Sequence, residues 1–436
     1  MENAIRDWRG RSYLPGPVPA DRTRMFWLAW AAMAAISPLQ YGYAALLARE
    51  STGLTLLAVW IAGQAAGALP ALHLVRRGRL SVRTALSAGA ALSGAGLFTA
   101  ALTGPGMFTA APTGPGIFTA ALTGPGPVGG GLVAFVGYAL LGGLGAGLVY
   151  GVCGEVVSSW FPDRPAARVG LITGAFGYGA VPLLVWAGIA PGATPAAFLV
   201  AAVVAVTAIG AAARRLRLAP ALWWPDDVDP RSHALDAARL RVTPDAAKQF
   251  GLPQALRTRT LPALALILTC AGAVSVFDVI VVGASGSWAA VAVLVALNGA
   301  SRSVAMRASE LFGRRRVLAV VLGALALGQF LLAASGMAGG GTLLWLGVVA
   351  AGLGGGAFYP LLASLVREFF GVERAGEIHA VVYSAKALAG VVAVVLALIA
   401  LTAPTAALLA AAALAAVPAL ASPRLRIPGL PVTIPL

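Results

Sequence analysis

Apolar runs about as long as a bilayer-crossing helix, roughly 20 residues, recur twelve times along the chain, near 25–47, 54–75, 84–103, 130–156, 168–190, 195–213, 261–284, 287–307, 316–336, 341–366, 377–401 and 403–421. The pattern predicts an all-α membrane protein with twelve transmembrane helices. Hydrophobic residues make up 59% of the 436 positions and charged residues only 11%, against about 25% charged in soluble domains. Gly and Ala are spread through the runs, which suits helices that pack closely where lipid gives no hydrophobic drive for association.

The formal net charge is +15, yet the basic residues form no soluble face for nucleic acid. They cluster in alternate loops. Arg76, Arg77, Arg79 and Arg83 follow span two, Arg164 and Arg168 follow four, and Arg214, Arg215 and Arg217 follow six. Arg307, Arg314, Arg315 and Arg316 surround the end of span eight, and Arg367 and Arg374 that of ten. The loops after spans three, five, seven, nine and eleven carry no Lys or Arg, and only Arg49 breaks the alternation. By the positive-inside rule this predicts a multi-pass protein of the cell membrane with both termini cytosolic. The polar residues 1–24 show no cleavable signal and are expected to stay in the cytosol.

Residues 214–260 form the one long polar stretch and divide the spans six and six. The expected organisation is a cytosolic segment 1–24, a six-helix bundle 25–213, a cytosolic linker 214–260, a pseudo-symmetric six-helix bundle 261–421 and a cytosolic tail 422–436. Such two-bundle chains place a substrate site near the midplane between the halves. A ten-residue unit ending in Gly-Pro-Gly repeats three times over 97–126 and reads as an expanded external loop. Cys153 and Cys270 lie within predicted helices and read as buried small side chains.

Lys386, one of two lysines in the chain, interrupts the apolar run from His379 to Leu398, and Arg302 interrupts that around Asn298. A cation near the middle of a membrane helix costs about 2.5–3.5 kcal/mol on insertion scales, so such residues face a cavity and meet a partner or ligand. Arg302 lies eight residues above Glu310, about 12 Å, and Lys386 ten residues above Gly376, about 15 Å. Equal depth lets both face one cavity, and the absence of an adjacent carboxylate points to an anion. A planar guanidinium and a compact ammonium suit opposite ends of a small dicarboxylate. The alternative is two structural cations bonded to backbone carbonyls. Asp278 is placed about 25 Å from the cytosolic face, either as a coupling or outer-gate group or as a solvated residue near the outer mouth. Glu155 is expected to bond cytosolic arginines. Tyr383 shares the face of Lys386, with a hydroxyl that could hold a carboxylate oxygen or serve a helix contact. His379 reads as a surface residue near the inner interface. Nothing indicates metal ligands, a cofactor, a nucleotide fold or nucleophilic catalysis, so an enzyme is not expected.

After span eight, Glu310-Leu-Phe-Gly313-Arg314-Arg315 resembles the loop signature of the major facilitator superfamily, in which an acid, a turn glycine and a basic pair lock adjacent helix ends. The counterpart after span two keeps Arg76, Arg77 and Gly78 but has Val75 in place of the acid. Ser159-Trp-Phe-Pro-Asp-Arg164, Gly170-Leu-Ile-Thr-Gly174-Ala-Phe-Gly177, Gln254-Ala-Leu-Arg-Thr258 and Tyr383-Ser-Ala-Lys386 resemble the oxalate/formate antiporter family within that superfamily. The resemblance implies that Arg302 and Lys386 are the carboxylate-binding pair and that Gln40, Tyr41, Tyr150 and Tyr359 line the pocket.

The expected function is secondary transport of small organic anions by alternating access, as an exchanger or, with Asp278 as the protonatable group, as a proton-coupled monocarboxylate symporter. A non-transporting sensor of the same fold is the remaining alternative. Expected partners are small mono- or dicarboxylates and the lipid bilayer, with the protein monomeric.

Overall fold

The computed structural model describes residues 4–8, 10–48, 51–103, 130–336 and 341–429. Among them, eleven helices are long and apolar enough to cross a membrane. Spans two to six are Thr52–Val75, Val82–Leu102, Gly131–Trp160, Pro165–Ile189 and Pro191–Arg215. Seven to twelve are Thr260–Ala284, Trp288–Phe312, Arg314–Ala334, Thr342–Phe370, Ala375–Ala400 and Pro404–Arg424.

The remaining crossing, span one, is broken into a helix Arg22–Ala35, a π-helical turn Pro38–Gly42 and a short helix Tyr43–Leu46. Proline has no N–H to give to the helical ladder. The chain widens there, and the Tyr43 N–H reaches back to the Pro38 carbonyl. Such bulges often accompany functional residues, and this one carries Gln40 and Tyr41. Span eleven has a comparable interruption, its helix breaking at Ala385 between Ala375–Ser384 and Lys386–Ala400.

Small residues set how closely the helices approach. A Cβ on Gly147 of span four would lie 2.2 Å from the Gln64 carbonyl of span two, so only glycine allows that contact within the first half. The same device joins the two halves. A Cβ on Gly177 of span five would lie 2.3 Å from Gly299 Cα of span eight, and one on Gly283 of span seven 2.8 Å from the Ala45 carbonyl of span one.

Residues 4–8 and 10–22, the linker and the arginine clusters gather at one end of the bundle, the arginine end. Alongside the helices this end carries a small sheet that the sequence reading did not anticipate. Ile5–Arg6 (β1) pairs antiparallel with Ser12–Gly16 (β2), which pairs in parallel with Trp223–Pro225 (β3) from the linker. Trp8 Nε1 donates to the Ala234 carbonyl at 3.3 Å, and the Arg11 guanidinium bridges Asp7 at 2.8 Å and Asp245 at 3.1 Å. Arg217 pairs with Asp21 at 2.8 Å and Arg22 with Asp163 at 3.4 Å, tying this small sheet to the first half. Further along, the linker holds the second half. Gln249 Oε1 accepts from the N–H groups of Val372 and Glu373 at 2.9 and 3.2 Å, and the Phe250 N–H donates to the Phe370 carbonyl at 2.9 Å.

The loop lock also differs from its expected form. Gly313 makes the turn, with φ of 87°, a left-handed region open to glycine. Glu310, however, is exposed, and the carboxylate that holds Arg314 is Glu368 of span ten, at 2.8 Å. Arg315 donates to the Leu425 carbonyl at 2.8 Å. At the other degenerate site the acid missing at Val75 is supplied from elsewhere. Arg76 meets Glu155 of span four at 3.6 Å and Arg77 meets Glu377 of span eleven at 2.8 Å. Of the repeat at 97–126, residues 97–102 are the last turns of span three, and 104–129 lie outside the described residues.

Candidate functional site

Arg302 and Lys386 meet between the halves. Their side chains are 1% and 2% exposed, and the Arg302 Cζ and Lys386 Nζ each lie 5.3 Å from the centre of the Tyr359 ring. The charges are therefore no further apart than twice that distance. Phe176 of span five forms another wall, 5.7 Å from the guanidinium and 5.4 Å from the ammonium.

Each cation is held by neutral groups, all but Asn298 from the opposite half. Lys386 donates to Gln40 Oε1 at 2.9 Å and to Gln64 Oε1. Arg302 donates through Nη1 to the Thr173 carbonyl at 2.9 Å, and through Nη2 to the Tyr41 hydroxyl and Asn298 Oδ1, both at 3.0 Å. The Tyr41 hydroxyl donates on to Asn298 Oδ1 at 3.2 Å, and Asn298 Nδ2 to Ser275 Oγ at 3.2 Å. Gly355 fits against that chain, since a Cβ there would lie 3.1 Å from Asn298 Nδ2.

Donors outnumber acceptors around the pair. Arg302 Nε, Gln64 Nε2 and the Tyr383 hydroxyl are buried without a hydrogen-bond partner, although buried polar groups are as a rule bonded. All three can donate, and a ligand rich in acceptors would satisfy them. The Tyr383 ring stacks on Tyr150 at 5.2 Å, so its hydroxyl grips nothing here.

Asp278 corrects one expectation. It is 1% exposed, not solvated, and receives the Nε2 of Gln329 from span nine. Its carboxylate is therefore directed at the second half's own bundle, and the two site cations have no carboxylate partner among the described residues.

Residues 23–394 match the family described as Major Facilitator Superfamily. The chain belongs to the major facilitator superfamily. As expected of a superfamily of transporters, its fold matches solved carriers. The inward-open xylose transporter XylE from E. coli aligns with a TM-score of 0.64 and 14% identity over 92% of this chain and 95% of that one. The nucleoside transporter NupG gives 0.61 and 13% over 93% and 99%, and the peptide transporter POT 0.61 and 14% over 93% and 95%. At such identities the likeness concerns the fold. No curated protein sequence matches the chain.

In this superfamily member the site connects with a cavity that runs between the halves toward the arginine end, walled by spans four, five, ten and eleven. Tyr150 and Tyr359 roof it, with Thr173 beside them. His379 lines its wall, which corrects the surface placement, and Glu155 faces it while engaged with Arg76 as expected. The opposite end is shut by the glycine contacts of spans one with seven and five with eight. Gln64, Asn298, Thr173 and Gln329 were missed from sequence. For the two glutamines a signal existed, since an amide in an apolar span raises the same question as a charge.

Proposed function

We propose that this transporter carries small carboxylate anions between the two sides of the membrane, binding them at Arg302 and Lys386 by exchange of the oxalate/formate kind. One observation carries the reading. Among the described residues two buried cations are neutralised by no carboxylate, and the groups around them offer N–H and O–H donors that lack acceptors. Isolated buried charge is costly unless compensated, and an anion entering this pocket would meet both cations and the spare donors at once.

On this reading the arginine end is cytosolic, from the asymmetry of the loops, and the structure is a conformation closed outside with a vestibule inside. Both halves of one polypeptide complete the site, so a single chain suffices. Counterflow of labelled oxalate and formate into proteoliposomes tests the reading. Accumulation driven by unlabelled internal anion is expected, and its absence for every mono- and dicarboxylate in a panel would refute it.

Proton-coupled symport has one observation in its favour. Asp278 Oδ2 and Gln329 Oε1 are both buried acceptors without partners, and a proton carried by the Asp278 carboxyl would supply the donor they lack. Acid-driven uptake into vesicles free of internal substrate distinguishes this from strict exchange.

A further inference from the structure

The cavity below the central pair contains a second positive group that nothing above uses. Arg367 of span ten lines it, half-buried, and its side chain makes no hydrogen bond or ion pair among the described residues. The other charges there are engaged. Arg314 is held by Glu368 at 2.8 Å, and Glu155 meets Arg76 at 3.6 Å. Ser364, one helical turn before Arg367, also lines the cavity with a hydroxyl that has no partner among the described residues, and residues three apart share a helix face. From span eleven comes His379, whose Nδ1 is buried without a partner.

The lower level lies on spans ten and eleven, which also carry Tyr359 and Lys386 of the upper level. Arg367 follows Tyr359 by eight residues and His379 precedes Lys386 by seven, so the lower level is about 11–12 Å from the upper at 1.5 Å per residue. Between them lies the aromatic layer, with Tyr150 stacked on Tyr383 at 5.2 Å and His379 in contact with Tyr383 at 5.9 Å. A guanidinium with all its donors available is suited to one carboxylate group gripped through two parallel hydrogen bonds.

Building on the carboxylate reading above, we propose that Arg367, with Ser364 and His379, forms a second carboxylate station in the vestibule, occupied by the anion before it passes the aromatic layer to Arg302 and Lys386. With one cation in place of two, and with the Glu155 carboxylate of the same cavity partly offsetting it, it holds one carboxylate end and binds more weakly than the central site. It would act only on traffic through the arginine end.

The test is sided kinetics in proteoliposomes holding the full-length chain in a known orientation, with labelled oxalate offered from each face in turn. Arg367→Gln is expected to raise the apparent KM about tenfold from the arginine end and to leave that from the opposite face within twofold. Arg367→Lys, which keeps the charge but loses the planar fork, should recover part of the loss. Size-exclusion profile and melting temperature establish that both variants are folded. Equal KM changes from both faces, an unchanged KM, or a folded Arg367→Lys as impaired as Arg367→Gln would overturn the station and leave the central site standing. Failure of wild type to carry oxalate or any other carboxylate would instead remove the substrate class, and the station with it.

Discussion

Replacing Lys386 by Gln tests the charge count of the central site. The ammonium rests on Gln40 and Gln64, 5.3 Å from the centre of the Tyr359 ring that Arg302 also approaches. A dianion spanning the pair would put one carboxylate about 4 Å from the ammonium and the other, gripped by Arg302, about 8 Å from it. At an effective dielectric of about 20 these attractions are worth about 4 and 2 kcal/mol. The new amide returns about 1 kcal/mol through a hydrogen bond. The dianion therefore loses about 5 kcal/mol, whereas a monoanion held by Arg302 alone loses only about 2 kcal/mol. The ratio of affinities should move about 3 kcal/mol toward the monoanion, roughly a hundredfold. Thermal-shift titration of the purified wild type and Lys386→Gln with malonate and propionate measures both constants. Insertion should survive, because removing a buried cation eases it. A folded variant whose malonate-to-propionate preference stays within threefold of wild type would refute the assignment of Lys386 as one pole of the site.

Asp278→Asn should leave that preference unchanged, because its carboxylate is bonded to Gln329 and not to either cation; a switch from monoanion to dianion preference in the same titrations would show otherwise. Thiol labelling should reach Ser232→Cys only from the cytosol and Gly192→Cys only from outside, both positions being exposed and Gly192 having open space for a side chain; reversed sidedness would invert the topology. Gly177→Leu should force spans five and eight apart, since even its Cβ would sit 2.3 Å from Gly299 Cα, and overpacking of that kind is relieved only by movement. A thiol introduced at the buried Ser37, whose hydroxyl donates to the Gly177 carbonyl at 3.2 Å, should then react with a maleimide at least tenfold faster than without the leucine, and an unchanged rate would contradict the tight seam. Asp7 is pushed up by burial, but hydrogen bonds from the Arg11 N–H and guanidinium and the Tyr13 hydroxyl outweigh this and hold its carboxyl below the usual range. Its contribution to docking of the N-terminal sheet is complete above about pH 3.9, the unfolded value, and is lost only as pH falls through the lower folded one. Trp8 fluorescence should stay flat from pH 8 to 5 and change below about 4, and a transition near neutrality would point to another group.

The spans were legible because bilayer thickness imposes one length on every crossing, and the two central cations because a charge in hydrocarbon demands an explanation. That both approach one ring, Tyr359, was open to residue counting along spans eight and eleven. What sequence did not reveal depended on contacts between distant segments. Glu368 replaces Glu310 as the partner of Arg314 because the helix end of span ten comes closer than the acid four residues upstream, a matter of packing and not of spacing. The strand pairing of Ser12–Gly16 with Trp223–Pro225 joins residues some 210 apart, too short and too mixed in pattern to announce itself. Span one showed its Pro38, but not that a π turn would present Gln40 and Tyr41 to the other half.

The linker has a further consequence for motion. Asp245 is fastened through Arg11 to the sheet on the first half, while Gln249 is fastened to Val372 and Glu373 on the second. Four residues of fully extended chain reach about 14 Å at most. The two halves are thus on a short leash at the arginine end, and any swing wider than that length must first undo one of its two knots. Which knot yields first would determine whether the N-terminal sheet travels with the first half or is handed to the second during each turnover.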